Sequence, residues 1–143
     1  MSAQSTRTII DAYVQTLLSS GDYARYLTED VTLTLEGTDR AVSGREAVCQ
    51  LIAFMHTQAF RTDVRVKGIV YGDRQAMLEA DFVGTHVGTF EEIPANHRNV
   101  RVPYAVAYDV DAAGIKALRL YFPMDQLLRQ IGAGEAVAVG ARS

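Results

Sequence analysis

The chain has 143 residues, 48% of them apolar, and a formal charge of −3, which suffices for one packed domain and is too apolar for a disordered segment. Acids and bases are interspersed without a basic run, which argues against a nucleic-acid partner, and no stretch approaches the roughly 18 uninterrupted apolar residues of a membrane span. A single cysteine excludes an internal disulfide framework, and the polar N-terminus lacks the apolar core of a secretion signal, so a soluble, cytoplasmic protein is expected.

Residues Thr6–Ser19 carry Ile9, Ile10, Tyr13, Val14, Leu17 and Leu18 at helical spacing and predict an amphipathic helix. Gly21 is placed to take a left-handed C-cap conformation. A short helical turn over Tyr23–Leu27 precedes a strand at Val31–Glu36, which sends Val31, Leu33 and Leu35 to one face and Thr32, Thr34 and Glu36 to the other. Residues 37–42 read as a polar connection. Ser43 and Glu46 match a capping box for a second helix running to about Thr57, with Ala47, Val48, Leu51, Ile52 and Met55 buried.

A strand over Arg61–Tyr71 turns at Gly72-Asp73 into a three-stranded meander: Met77–Val87, Val100–Val110 and Ile115–Phe122. Its strands run to roughly ten residues, beyond the usual 5–6, and strands of that length curl around something. The loop over Glu91–Asn99 and the turn Asp111–Gly114 join them. Pro123 suits the first position of a last helix that ends at Gly132. Residues 1–132 are thus one domain, and residues 133–143 are expected to form a flexible tail or a strand added to a partner. Helices segregated from an antiparallel sheet define an α+β class.

Two local motifs carry a family likeness. Gly84-Thr85-His86-Val87-Gly88 followed by Ile93-Pro94 resembles the GTHxG…GIP segment of SnoaL-like polyketide cyclases, and Leu127-Leu128-Arg129-Gln130-Ile131-Gly132 resembles their C-terminal LLRQLG. The likeness covers nearly the whole chain. It implies an NTF2-like cone, in which N-terminal, middle and short C-terminal helices close a curved antiparallel sheet over a pocket. It also implies a homodimer through the outer sheet face. The family's chemistry is acid–base: an aspartate removes a proton beside a carbonyl, and the carbanion closes a ring. Counting back from LLRQIG, that aspartate falls on Leu120 and its partner histidine on Val106. Neither alkyl chain accepts a proton. The related ketosteroid isomerases pair a first-helix tyrosine, comparable to Tyr13, with an aspartate that maps near Leu35, one residue from Glu36.

Alternation assigns the meander's faces without reference to family. Leu78, Ala80, Phe82, Val100, Val102, Val106, Val110, Leu118, Leu120 and Phe122 share the even positions with Tyr104, Tyr108 and His86, whereas Glu79, Asp81, Arg101 and Arg119 are odd. Ligand cavities are mainly apolar with a few polar groups, so the even face is expected inward and the charged residues in cross-strand ion pairs outside. Pro103 lacks a ladder donor and marks an edge or a bulge that would reverse this parity.

The expected catalytic groups are His86 or Glu36 for proton movement and Tyr104 and Tyr108 for holding an oxygen. Tyr13, Phe82, Val106, Leu118, Leu120 and Phe122 are expected to line the ligand site. Each has a structural alternative: His86 braces its glycine-flanked loop, the tyrosines pack as core aromatics, and Glu36 is solvated. No His, Cys or carboxylate spacing matches a metal site, and GTHVG lacks a phosphate loop's length and lysine, so no cofactor and no metal are expected. The residues leave three functions open: a cofactor-independent cyclase or isomerase acting on a carbonyl-bearing apolar molecule, a non-catalytic binding or dimerisation module, and an epoxide or ester hydrolase that needs Glu79 and Asp81 inward.

Overall fold

A computed structural model describes residues 1–132, and the tail expected over 133–143 lies outside the described residues. Helix α1 (Ala3–Leu18) leads through a 3-10 turn (Tyr23–Tyr26) into β1 (Leu27–Leu35) and a short β2 (Ala41–Ser43). Helix α2 (Arg45–Ala53) widens into a π-turn (Phe54–Gln58). Strands β3 (Phe60–Tyr71), β4 (Gln75–His86), β5 (Asn99–Asp111) and β6 (Gly114–Tyr121) follow, and α3 (Met124–Gln130) closes the described chain. Among the described residues no helix is long and apolar enough to cross a membrane.

The six strands form one curved, unclosed sheet in the order β2-β1-β6-β5-β4-β3. Four of its pairings are antiparallel, as expected, but β1 runs parallel to β6. Alternation reports which face a side chain takes and is silent on strand direction, so the sheet is mixed where the sequence suggested a purely antiparallel one. The α+β cone is unaffected.

Local corrections have local causes. Ser43 does not cap α2: it pairs with Thr32 as the last residue of β2, and Gly44 (φ 97°) takes the N-cap without a side-chain bond. Residues 41–43 of the supposed polar connection are thereby a strand. After α1 it is Ser20 (φ 60°), not Gly21, that turns left-handed. Gly21 instead passes Thr16 so closely that a Cβ there would lie 2.8 Å from its methyl group.

Pro103 introduces no bulge. The β4–β5 register runs unbroken through Asp81↔Pro103. Strand β6 pairs with β5 only from Ala105 onward, so the missing N–H of Pro103 falls where no strand needs it. Two residues earlier, the amide side chain of Gln130 in α3 serves as ladder partner: it accepts from the Arg101 N–H (2.7 Å) and donates to the Arg101 carbonyl (2.9 Å). The bulge lies in β6 instead, at Lys116, and explains why Ile115 and Leu118 are both buried.

With the register intact, the even face of the meander turns inward. Ala76, Leu78, Ala80, Phe82, Val102, Val106 and Tyr108 are buried, while Glu79 and Arg101 are exposed. Outside, Asp81 bridges Lys67 (3.0 Å) and Arg101 (2.9 Å), which hold its carboxyl below the usual range, Lys67 contributing most. Arg119 pairs with Asp109, not with Glu79, and Glu79 has no ion pair among the described residues.

Two apolar clusters hold the sheet to its helices. One gathers Ile10 and Tyr13 of α1 and Val48 and Ile52 of α2 over Val31, Leu78, Val106 and Leu118. The other packs Phe60, Phe82, Phe90, Val100 and Val102 against Leu127 and Ile131. Each fully buried side chain such as Ile10 or Leu127 contributes about 1.5–3 kcal/mol through area removed from water.

Candidate active site

A cavity of about 600 Å³ opens on the concave face and is lined by members of both clusters. That volume lies within the roughly 300–1,000 Å³ of small-molecule sites. Its sheet wall is Leu33 and Leu35 from β1, Phe82 from β4, Tyr104, Val106 and Tyr108 from β5, and Leu118 and Leu120 from β6. Tyr13 and Leu17 of α1, the π-turn residues Phe54, Met55 and His56, and Phe122 and Met124 complete it. Asp39, Arg40 and Glu91 also line the cavity and are solvent-exposed, which places them at its rim.

The structure brings together Tyr13, Phe82, Tyr104, Val106, Tyr108, Leu118, Leu120 and Phe122 on this one cavity. Their gathering follows from period-two alternation on β4, β5 and β6, which puts every second side chain on the concave face. Val106 and Leu120 are cross-strand partners, so the two positions at which a cyclase acid and histidine were sought form an adjacent alkyl pair.

The tyrosines are protonated donors. Burial pushes Tyr13 well above the usual phenol range, with Tyr108 and Tyr23 adding to the effect. Tyr108 is raised for the same reason, and burial brings Tyr104 up to about 12. The Tyr13 and Tyr108 rings meet edge to face at 6.0 Å, and Tyr104 lies 5.5 Å from the Phe122 ring. None of the three hydroxyls makes a hydrogen bond among the described residues. Each is therefore available to an acceptor oxygen on a ligand.

His86 is elsewhere. It is fully buried in the second cluster, its ring 5.3 Å from Phe60 and its Nδ1 3.2 Å from the Asn96 side-chain oxygen, and it does not line the cavity. Its Nε2 has no partner among the described residues. Its backbone holds the β4–β5 loop, with the His86 N–H donating to Arg98 O and the His97 N–H donating to His86 O. The expected general base is thus a brace, because the strand's even face has passed beyond the cavity by residue 86. Glu36 is also off the cavity. It follows the end of β1, where its N–H donates to Leu120 O at 2.9 Å.

The imidazole that does reach the cavity is His56, which the sequence reading passed over. Its ring is 6.4 Å from Phe82, and burial lowers its pKa, keeping it neutral near pH 7. It makes no hydrogen bond among the described residues. The available signal was its place one residue beyond Met55, the last member of the apolar stripe of the second helix.

At the rim, Arg40 Nη1 lies 3.1 Å from Glu91 Oε1. Glu91 (φ 48°) and Glu92 (φ 68°) both adopt left-handed backbone in a tight turn closed by reciprocal Phe90–Ile93 bonds of 3.0 and 2.8 Å. Such conformations cost roughly 1–2 kcal/mol each outside glycine. Among the described residues no group of three His, Cys, Asp or Glu side chains is placed to hold a metal ion.

No family model and no curated protein sequence matches the chain. Solved structures do. A candidate polyketide cyclase from Xanthomonas campestris pv. campestris superposes with a TM-score of 0.79 at 20% identity, covering 90% of this chain and 97% of that one. A candidate SnoaL-like polyketide cyclase from Jannaschia sp. CCS1 gives 0.77 at 19% identity over 88% and 93% of the two chains. AclR from Streptomyces galilaeus, described as a candidate hydroxylase, gives 0.78 at 17% identity over 92% and 98%. One backbone therefore carries differently named chemistries, and at these identities the likeness speaks for the fold. The chain has the fold of these SnoaL-like polyketide cyclase structures, an α+β cone around an apolar cavity.

Proposed function

We propose that the protein is a cofactor-independent acid–base enzyme of the cyclase or isomerase class, acting on an apolar small molecule that carries a carbonyl group. The observation that carries this reading is a neutral imidazole, His56, on the same apolar cavity as three unengaged phenols. In the reaction, a ring nitrogen of His56 takes a proton from the carbon beside the carbonyl. Tyr104, Tyr108 or Tyr13 donates an O–H hydrogen bond to the oxygen on which negative charge develops. Returning the proton to a different carbon completes an isomerisation; attack of the carbanion on a second carbonyl of the same molecule closes a ring, and the alkoxide so formed takes the proton back from His56. A base with a pKa at or below neutrality is ionisable in the working range and free to accept.

Exchange in D₂O tests this without knowledge of the natural substrate. Incubating the protein with 1,3-diketone and β,γ-unsaturated ketone probes should add deuterium at the carbon beside the carbonyl faster than buffer does, and His56→Ala should remove the excess. Exchange that persists undiminished in His56→Ala rules out this base.

A second reading, a non-catalytic binding module, is favoured by the alkyl pair Val106 and Leu120. It requires that probes bind and are released without exchange or conversion by the wild-type chain. The hydrolase reading has no support, because Glu79 and Asp81 face away from the cavity.

A further inference from the structure

The π-turn that carries His56 is held from outside the helix. In a regular α-helix the Ala59 N–H would bond to the Met55 carbonyl. Here it donates to Phe54 O at 2.8 Å, one residue further back. The Met55 carbonyl loses its helical donor, and the hydroxyl of Thr62 in β3 supplies a replacement at 3.1 Å. On the other side the Val87 and Gly88 N–H groups both donate to Ala59 O (2.9 and 3.0 Å). Gly88 approaches so closely that a Cβ there would lie 2.2 Å from Gln58 O. Three consecutive residues of an α-helix fan over roughly 200° of its circumference. Phe54, Met55 and His56 of the widened turn nevertheless all line the cavity. Single π-turns inside helices recur at functional sites.

We infer that Thr62 is the positioning residue for His56, its hydroxyl substituting for the helical donor that the π-turn takes from Met55 and thereby holding the imidazole on the cavity wall. The inference rests on the reading of His56 as the base. The charged groups that share its cavity, Asp39, Arg40 and Glu91, lie at the rim.

The test uses the full chain with Thr62→Val, which keeps the shape and removes the hydroxyl, and Thr62→Ser, which keeps the hydroxyl. Thr62→Ala is measured alongside in case valine disturbs folding. Two readouts are followed: the NMR titration of the His56 ring protons, and kcat and KM for deuterium exchange into the ketone probes. In Thr62→Val and Thr62→Ala the His56 titration should move up toward the ordinary histidine value as the ring gains solvent. Their kcat should fall about ten- to a hundredfold with KM within about twofold, since small misplacements of a reacting group carry penalties of that order. Thr62→Ser should track the wild type in both readouts. An unmoved His56 titration in folded Thr62→Val and Thr62→Ala, or a Thr62→Ser chain as impaired as they are, overturns the inference. Should no probe exchange even with the wild type, the base assignment fails, and the His56 titration by itself still decides whether Thr62 positions the ring.

Discussion

His86 and His56 stand at two ends of one run of aromatic contacts: His86 packs on Phe60 at 5.3 Å, Phe60 meets Phe82 edge to face at 5.4 Å, and Phe82 lies 6.4 Å from His56. Both imidazoles are withdrawn from bulk water, yet their surroundings differ. Around His86 the space is filled by Phe60 and Asn96, and its backbone is tied to the far end of the loop that follows it. Around His56 there is a cavity, and its nitrogens have no partner among the described residues. A buried histidine is therefore a poor marker of chemistry by itself. Room for a ligand beside the ring separates the two.

Substituting each histidine is the sharpest way to break that comparison. His56→Ala should lower probe exchange by about 10²–10⁴-fold, the usual range for removing a general base, while urea unfolding moves by less than about 1 kcal/mol. His86→Ala should do the opposite. It leaves a void beside Phe60 and removes the imidazole contact of the Asn96 side-chain oxygen, for a loss of about 2–3 kcal/mol in urea unfolding, with exchange per folded molecule unchanged.

Acidity sharpens it further. Burial depresses the His56 pKa, so exchange should be flat near neutrality and fall as pH drops through that lowered value. The folded pKa lies below the unfolded value of about 6.5, so the neutral ring's contribution to stability is present above that pH and lost below it. His56→Ala should abolish the acid limb of the remaining rate and that component of the stability profile. A limb that survives belongs to another group.

The smallest effect is expected far from both histidines. Arg119, and less strongly Gln75, hold the Asp109 carboxylate below its usual range. Asp109→Asn should cost about 0.5 kcal/mol at neutral pH, in keeping with a partly exposed pair. The difference should vanish as pH falls through the depressed pKa, because the wild-type carboxylate is then protonated too.

What the sequence disclosed follows from what is local. Alternation in β4, β5 and β6 identified Phe82, Tyr104, Val106, Tyr108, Leu118, Leu120 and Phe122 as one inward face, since period two holds until a bulge interrupts it. The bulge at Lys116 falls before Leu118 and leaves that set intact. What it withheld depends on distant partners. The parallel pairing of β1 with β6 is a choice between edges that no local pattern encodes. The π-turn is met by Thr62 and Gly88, both contributed by later segments: one donates to the Met55 carbonyl and the other packs against Gln58. His56 was hidden with it. His86 drew attention because its strand alternates cleanly, yet the alternation does not say how far along the strand the cavity extends.

Gln130 has a consequence beyond the site. Among the described residues strand β5 outruns β6 by the stretch Asn99–Tyr104, and an unpaired strand margin invites a second chain to pair along it. Among the described residues Arg101 gives the N–H and carbonyl in that stretch to Gln130, and Pro103 withholds a donor two residues on. Gln130 of the last helix thus occupies ladder groups that a second chain would need there, while Leu127 packs in the second cluster. A chain with Gln130→Ala should retain its cavity and lose shelf life, turning toward ordered aggregates first along β5.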